Sequence, residues 1–150
     1  MSQPEPADLD DELAERVAAA NAALVKLAAQ YRDWALNDLA QMREALAQVQ
    51  EALAKGDGET ERAALYKIYD LSHNAKGQGA YFGYELVTRI GASLSALLVN
   101  AKSASPELIE RAAAHFDALD AVLNQNLKGD QGERGVMLLR RHGIGAPAAA

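Results

Sequence analysis

No cysteine occurs in this chain of 150 residues, which excludes disulfide cross-links and thiolate zinc sites and fits a cytoplasmic protein. Proline is scarce: there are four, and only Pro106 lies outside the terminal segments. Aromatic residues make up 5% of the chain, so the core must be built mainly from aliphatic side chains. No run of about 18 apolar residues exists, and no transmembrane span is expected. The opening stretch MSQPEPADLDDELAE is acidic and lacks an apolar centre, so no secretory signal peptide is expected. The net charge of −6 comes without a basic stripe, which argues against a nucleic-acid partner. His73, His115 and His142 form no i, i+4 pair, so no metal site is expected. What is abundant is alanine, leucine and the long charged residues, all helix formers. One all-α domain of ordinary size is expected.

Punctuation along the chain divides it into helices. Residues 1–8 carry Pro4 and Pro6 and read as a loose tail. From Leu9 to Lys55 there is neither glycine nor proline, and apolar residues recur at helical spacing: Leu13, Val17, Ala20, Leu24 and Leu27, then Trp34, Leu39, Met42, Leu46 and Val49. The stretch far exceeds an average helix, and the apolar phase slips at 29–33, where a break is expected. Gly56 and Gly58 end it. A third helix is expected from Thr60, read as its N-cap, to about Tyr81, with Gly83 at the turn. A fourth runs from Tyr84 to Ala101. Ser105-Pro106 starts a fifth, which Lys128-Gly129 closes. Loops this short give antiparallel neighbours and an up-down bundle over residues 9–128. Residues 129–150 read as a flexible tail in which Val136 to His142 form a helical turn or two.

The chemistry concentrates in His73-Asn74-Ala75-Lys76-Gly77, followed by Gly83. A glycine inside a helix costs about 1 kcal/mol relative to alanine, so something should compensate for Gly77. Helical geometry, at about 100° per residue, places Ala64, Ile68, Leu71, Ala75 and Phe82 opposite His73 as the core face. Tyr66, Tyr69, Lys76, Gly77, Ala80 and Tyr84 fall on the side of His73. The imidazole therefore points to solvent beside a missing side chain. With glycine near 7% of residues, Lys at +3 with Gly at +4 and +10 arises by chance in roughly one in a thousand chains with three histidines.

His73-x-x-Lys76-Gly77 with Gly83 resembles the signature of the histidine-containing phosphotransfer (HPt) domain family. The resemblance covers roughly residues 31–127 and leaves 1–8 and 129–150 unexplained. It implies a four-helix bundle with an additional N-terminal helix. It also implies that His73 accepts a phosphoryl group from a receiver-domain aspartate of a response regulator and passes it to another receiver. Lys76 would lie beside the phosphoryl group, Gly77 would leave room for approach, and Gly83 would turn the chain. No cofactor is implied in this chain, because Mg²⁺ and its carboxylates would belong to the partner receiver. A hybrid histidine kinase is a further expected partner. The chain would then be a stoichiometric carrier without turnover of its own, and a monomer is expected.

Residue chemistry fits these roles. A free imidazole is largely neutral near pH 7 and offers a lone pair without an activating base. An ammonium is a mobile point charge that offsets phosphoryl oxygens without fixing them in a fork. Phosphoryl transfer is mostly positioning and charge neutralisation. The family often sets a polar side chain of the next helix against the His ring, near Ser95 here, and serine is short for that task. Asp70, one turn earlier, is the other candidate to orient the ring, though a solvated acid is its ordinary reading. Tyr66, Tyr69, Asp70, Ala80 and Tyr84 form the candidate docking surface. Trp34 and Phe116 read as core, His115 as an ordinary surface residue, and Arg140-Arg141-His142 as a small basic spot. Two alternatives stay open: a binding module that regulates a kinase or response regulator without phosphorylation, or the phosphoacceptor domain of a larger histidine kinase. The tail after residue 129 argues against the second.

Overall fold

The computed structural model describes residues 5–101 and 103–145, and among them it contains five α-helices and no strand. Helix α1 runs unbroken over Pro6–Lys55, 50 residues, with proline in its first turn and Gly56 closing it in the left-handed conformation at φ 69°. The expected break at 29–33 is absent. The apolar stripe drifts there without stopping, and no glycine or proline interrupts the backbone hydrogen bonding. The helix already includes Pro6 to Asp8, which the sequence assigns to a tail; residues 1–4 of that tail lie outside the described residues.

Helix α2 spans Gly58–Gln78. Its N-cap is Asp57, whose carboxylate accepts from the Thr60 amide at 3.2 Å and from the Thr60 hydroxyl at 2.6 Å. Thr60 is therefore inside the helix, two residues after its start, because the stronger Asp acceptor takes the cap. A 3-10 turn over Ala80–Phe82 ends at Gly83, φ 91°, so α2 stops three residues before the expected Tyr81. Helix α3 spans Glu85–Val99 and α4 spans Pro106–Asn124, the latter capped as expected by Ser105, whose hydroxyl accepts from the Leu108 amide.

Helix α5, Gly132–Arg141, forms inside the expected loose C-terminal segment. Leu138, Leu139 and Ile144 are buried in the common core, and that burial orders a stretch whose glycines suggest a tail. Residues 146–150 of the same segment lie outside the described residues.

The core lies where α1 packs on α2 and α4, and α3 packs on the same two helices. Met42, Val49, Ile68, Ile90, Leu94, Phe116 and Leu119 fill it, each at most 2% exposed. Phe116 is core as expected. Trp34 is not: it is 57% exposed, because it sits about 80° from the centre of the buried stripe of α1. Tyr31 takes the inward place instead, stacked on Phe82 with ring centroids 4.7 Å apart. Burial, with Asp38 adding to it, pushes its phenol up to about 12. From residue 5 to residue 27 every residue of α1 is exposed, so the first half of the helix projects past the core. Among the described residues no helix is long and apolar enough to cross a membrane.

Candidate functional site

His73 sits in the second half of α2 and is exposed, as are Asn74, Lys76, Gly77 and Gln78. The opposite side of that helix is buried at Ala64, Ile68 and Ser72, with Leu65, Leu71, Ala75 and Phe82 packed against the core. The helical phase alone placed the imidazole outward, and the ring stands there. Tyr69 lies one turn before it with ring centroids 6.1 Å apart and planes 24° from parallel. Tyr66 continues the row, 6.3 Å from Tyr69 and 68% exposed. A phenol ring thus stands beside the imidazole on the N-terminal side, and the side toward the C-terminus of α2 is open.

Gly77 provides that opening. Among the described residues a Cβ built there would meet nothing within 4 Å, so none of these neighbours demands a glycine. Its backbone is ordinary helix, and no left-handed conformation is needed either. The helix gives up stability for a bare surface next to His73. Lys76 is exposed beside it, in the last turn of α2, where the carbonyl ends of the helix favour a cation.

Neither expected orienting group reaches the ring. Ser95 is 7% exposed and its hydroxyl pairs with that of Ser72 at 3.0 Å, while Ser72 also donates to the Tyr69 carbonyl at 2.8 Å. The pair therefore joins α2 to α3 beneath His73 and does not touch its imidazole. Asp70 is an exposed neighbour. The imidazole hydrogen bonds among the described residues belong to His115 and His142.

Tyr84 leaves the proposed docking surface. It is 1% exposed, donates its hydroxyl to Asn126 Oδ1 at 2.6 Å and tilts against Tyr31. Burial raises its phenol pKa. The helical phase that put it near His73 holds only while the helix continues, and α2 ends at Gln78. Ala80 and Tyr81, in the 3-10 turn, stay exposed, Tyr81 at 81%. Tyr81 was missed because it falls outside the helical arc; a solvent-facing tyrosine next to a glycine-rich turn was the available signal.

Two other glycines seat α2, and sequence reasoning missed both. A Cβ on Gly91 would come within 2.6 Å of the Lys76 amide nitrogen and 2.9 Å of the Ser72 carbonyl oxygen. A Cβ on Gly79 would come within 2.7 Å of the Thr88 amide nitrogen. The backbones of α2 and α3 therefore touch directly under the turn that carries His73. A glycine inside the apolar stripe of α3 was the signal, since it costs about 1 kcal/mol unless close packing requires it.

His115 is the other correction. It is 2% exposed, not a surface residue. Its Nδ1 donates to the Arg111 carbonyl at 2.6 Å, which leaves Nε2 to accept from the Ser93 hydroxyl at 2.8 Å. Desolvation lowers its pKa, with the Arg111 and His142 charges acting in the same direction. No group of three or more His, Cys, Asp or Glu able to hold a metal occurs among the described residues. No family model matches the chain, and no curated protein or solved structure matches it.

Proposed function

We propose that this chain is a histidine phosphotransfer protein of a two-component phosphorelay. His73 takes a phosphoryl group from the aspartyl phosphate of one receiver domain and passes it to the aspartate of another. The observation that carries this reading is the exposed imidazole beside open space at Gly77. An incoming aspartyl phosphate has to approach within bonding distance of a ring nitrogen, and a side chain at position 77 would stand in its way.

In the forward step a ring nitrogen attacks phosphorus. The nitrogen–phosphorus bond forms as the acyl phosphate P–O bond breaks, and the partner carboxylate leaves with the electron pair. The proton on the other ring nitrogen is then shed to water. Lys76 offsets the phosphoryl charge from a flexible stem, weakly enough for onward release. Tyr69 lies beside the ring on its N-terminal side, away from the approach at Gly77. Mg²⁺ is supplied by the receiver, so the chain acts as a carrier and not as an enzyme with turnover. The expected setting is the cytoplasm, with a hybrid kinase upstream.

The packing order supports an HPt-like fold. Each of α1 and α3 lies against both α2 and α4, the neighbour relation of an up-down four-helix bundle. The projecting half of α1 then corresponds to the additional N-terminal helix. Tyr66 and Tyr69 before His73 on α2, and exposed Ala80 and Tyr81 in the turn after it, make the docking surface for the receiver.

Incubation with a phosphorylated receiver domain tests the proposal. Label should move to the wild-type chain as an acid-labile, alkali-stable adduct and should not move to His73→Gln. Absence of transfer from every receiver of the source organism, or equal labelling of His73→Gln, overturns it.

A further inference from the structure

The first half of α1 leaves an apolar face uncovered. Leu9, Leu13, Val17, Leu24 and Leu27 are 49, 61, 51, 59 and 41% exposed. With Ala20 they fall within about 100° of one another around the helix, and this is the same side of α1 that packs on the core from Ala28 onward. From Leu13 to Leu27 the steps are four, three, four, three, the seam of a two-stranded coiled coil. An isolated helix of this length is marginal in water, so the face calls for a partner.

Charge selects the partner and its direction. Between residues 5 and 15 there are Glu5, Asp8, Asp10, Asp11, Glu12 and Glu15 and no base. Between residues 16 and 28 there are Arg16 and Lys26 and no acid, and Arg16 pairs with Glu12 of its own helix at 2.8 Å. A second copy laid antiparallel sets the acidic segment of each chain along the acid-free segment of the other, which carries Lys26. Laid parallel, it would set six acids against six. Antiparallel packing also opposes the two helix dipoles favourably.

We infer that this chain forms a homodimer through an antiparallel pairing of residues 9–28 of α1. In the register where facing numbers sum to 37, Leu13 of each copy meets Leu24 of the other and Val17 meets Ala20, while Leu27 faces Asp10 beside Leu9. Lys26 then lies opposite Asp11. The overlap is limited at residue 28, where the core of each copy occupies the same face, and spans about 30 Å. Given their exposures, the five large side chains and intervening alanines of two copies leave on the order of 1,000 Å² to cover, the lower bound for a specific interface. This displaces the monomer expected from sequence, and it rests on no part of the phosphotransfer reading. The dimer keeps both His73 faces free, because pairing uses α1 alone.

Sedimentation equilibrium on the full chain tests the inference. At about 100 µM the wild type should sediment as twice its 16.0 kDa. Leu13→Asp with Leu24→Asp should raise the dissociation constant by about 100-fold or more while the thermal unfolding of the core stays unchanged. The direction is read by cross-linking, since the chain has no cysteine of its own. A mixture of Leu13→Cys and Leu24→Cys chains should form the mixed disulfide, and Leu13→Cys alone should not. A monomeric wild type at that concentration overturns the inference, including the case in which a different protein covers the face. A Leu13→Cys homodisulfide forming faster than the mixed one overturns the antiparallel arrangement.

Discussion

The backbone of Gly91 lies directly against the Lys76 amide, so close that a Cβ there would sit 2.6 Å from the nitrogen. This contact sets the depth at which α2 rests on α3, and therefore where His73 and Lys76 stand. Gly91→Ala is expected to destabilise the fold by about 1–3 kcal/mol, because helix backbone is what gives way. Urea unfolding would measure it, and Gly91→Val should cost more.

Gly77 should behave in the opposite way. Its Cβ position meets no described neighbour, so Gly77→Ala should stabilise the chain by about 0.5–1 kcal/mol through helix propensity alone. The same substitution should slow phosphoryl transfer to His73, and Gly77→Leu should slow it further without loss of stability. A glycine kept for packing would show loss of stability first.

Lys76→Gln should weaken phosphoryl transfer by no more than about fivefold, the range of an exposed ion pair. Raising ionic strength should shrink the difference between the two proteins. A loss of several orders of magnitude, read from single-turnover rates, would mean that Lys76 does more than offset charge.

Burial holds His115 neutral and lowers its pKa below the usual histidine value. Its stabilising effect is fully present above about pH 6.5, the unfolded value, and is lost as pH falls from there through the lower folded-state pKa. Stability of the wild type measured at steps between pH 7 and 5 should therefore decline more steeply than that of His115→Gln, which is less stable throughout. Equal slopes would contradict the assignment.

The two ends of the tyrosine series separate docking from packing. Tyr84→Phe removes the 2.6 Å hydrogen bond to Asn126 and should cost about 1 kcal/mol of stability with receiver binding unchanged. Tyr66→Ala should leave stability nearly unchanged and weaken receiver binding, as measured by titration calorimetry.

Much of this was legible in the sequence, for identifiable reasons. The 3.6-residue period of α2 put His73 outward and Ile68 inward, since the helix is regular through that span. The same period misplaced Tyr84, because it says nothing about where a helix stops; Gly79 and the 3-10 turn change the direction first. The drift near residue 30 read as a break because the apolar phase slips there and the stretch far exceeds an average helix, yet α1 continues through it with its first half uncovered. His115 was read as polar and hence exposed, but Ser93 and the Arg111 carbonyl satisfy both ring nitrogens and let it be buried. Those partners lie 22 and 4 residues away, and only the first required the tertiary fold. Ser95 faces Ser72 instead of His73 for a similar reason: Gly91 brings α2 and α3 so close that the hydroxyls meet.

The central claim is that an open imidazole at position 73 carries a phosphoryl group. Phosphorus NMR of the chain mixed with a phosphorylated receiver domain and Mg²⁺ reads this directly. A phosphoramidate resonance should appear as the acyl phosphate signal decays, and it should be absent for His73→Gln. Decay of the acyl phosphate to inorganic phosphate alone, with no phosphoramidate on the wild type for any receiver of the source organism, would contradict the account.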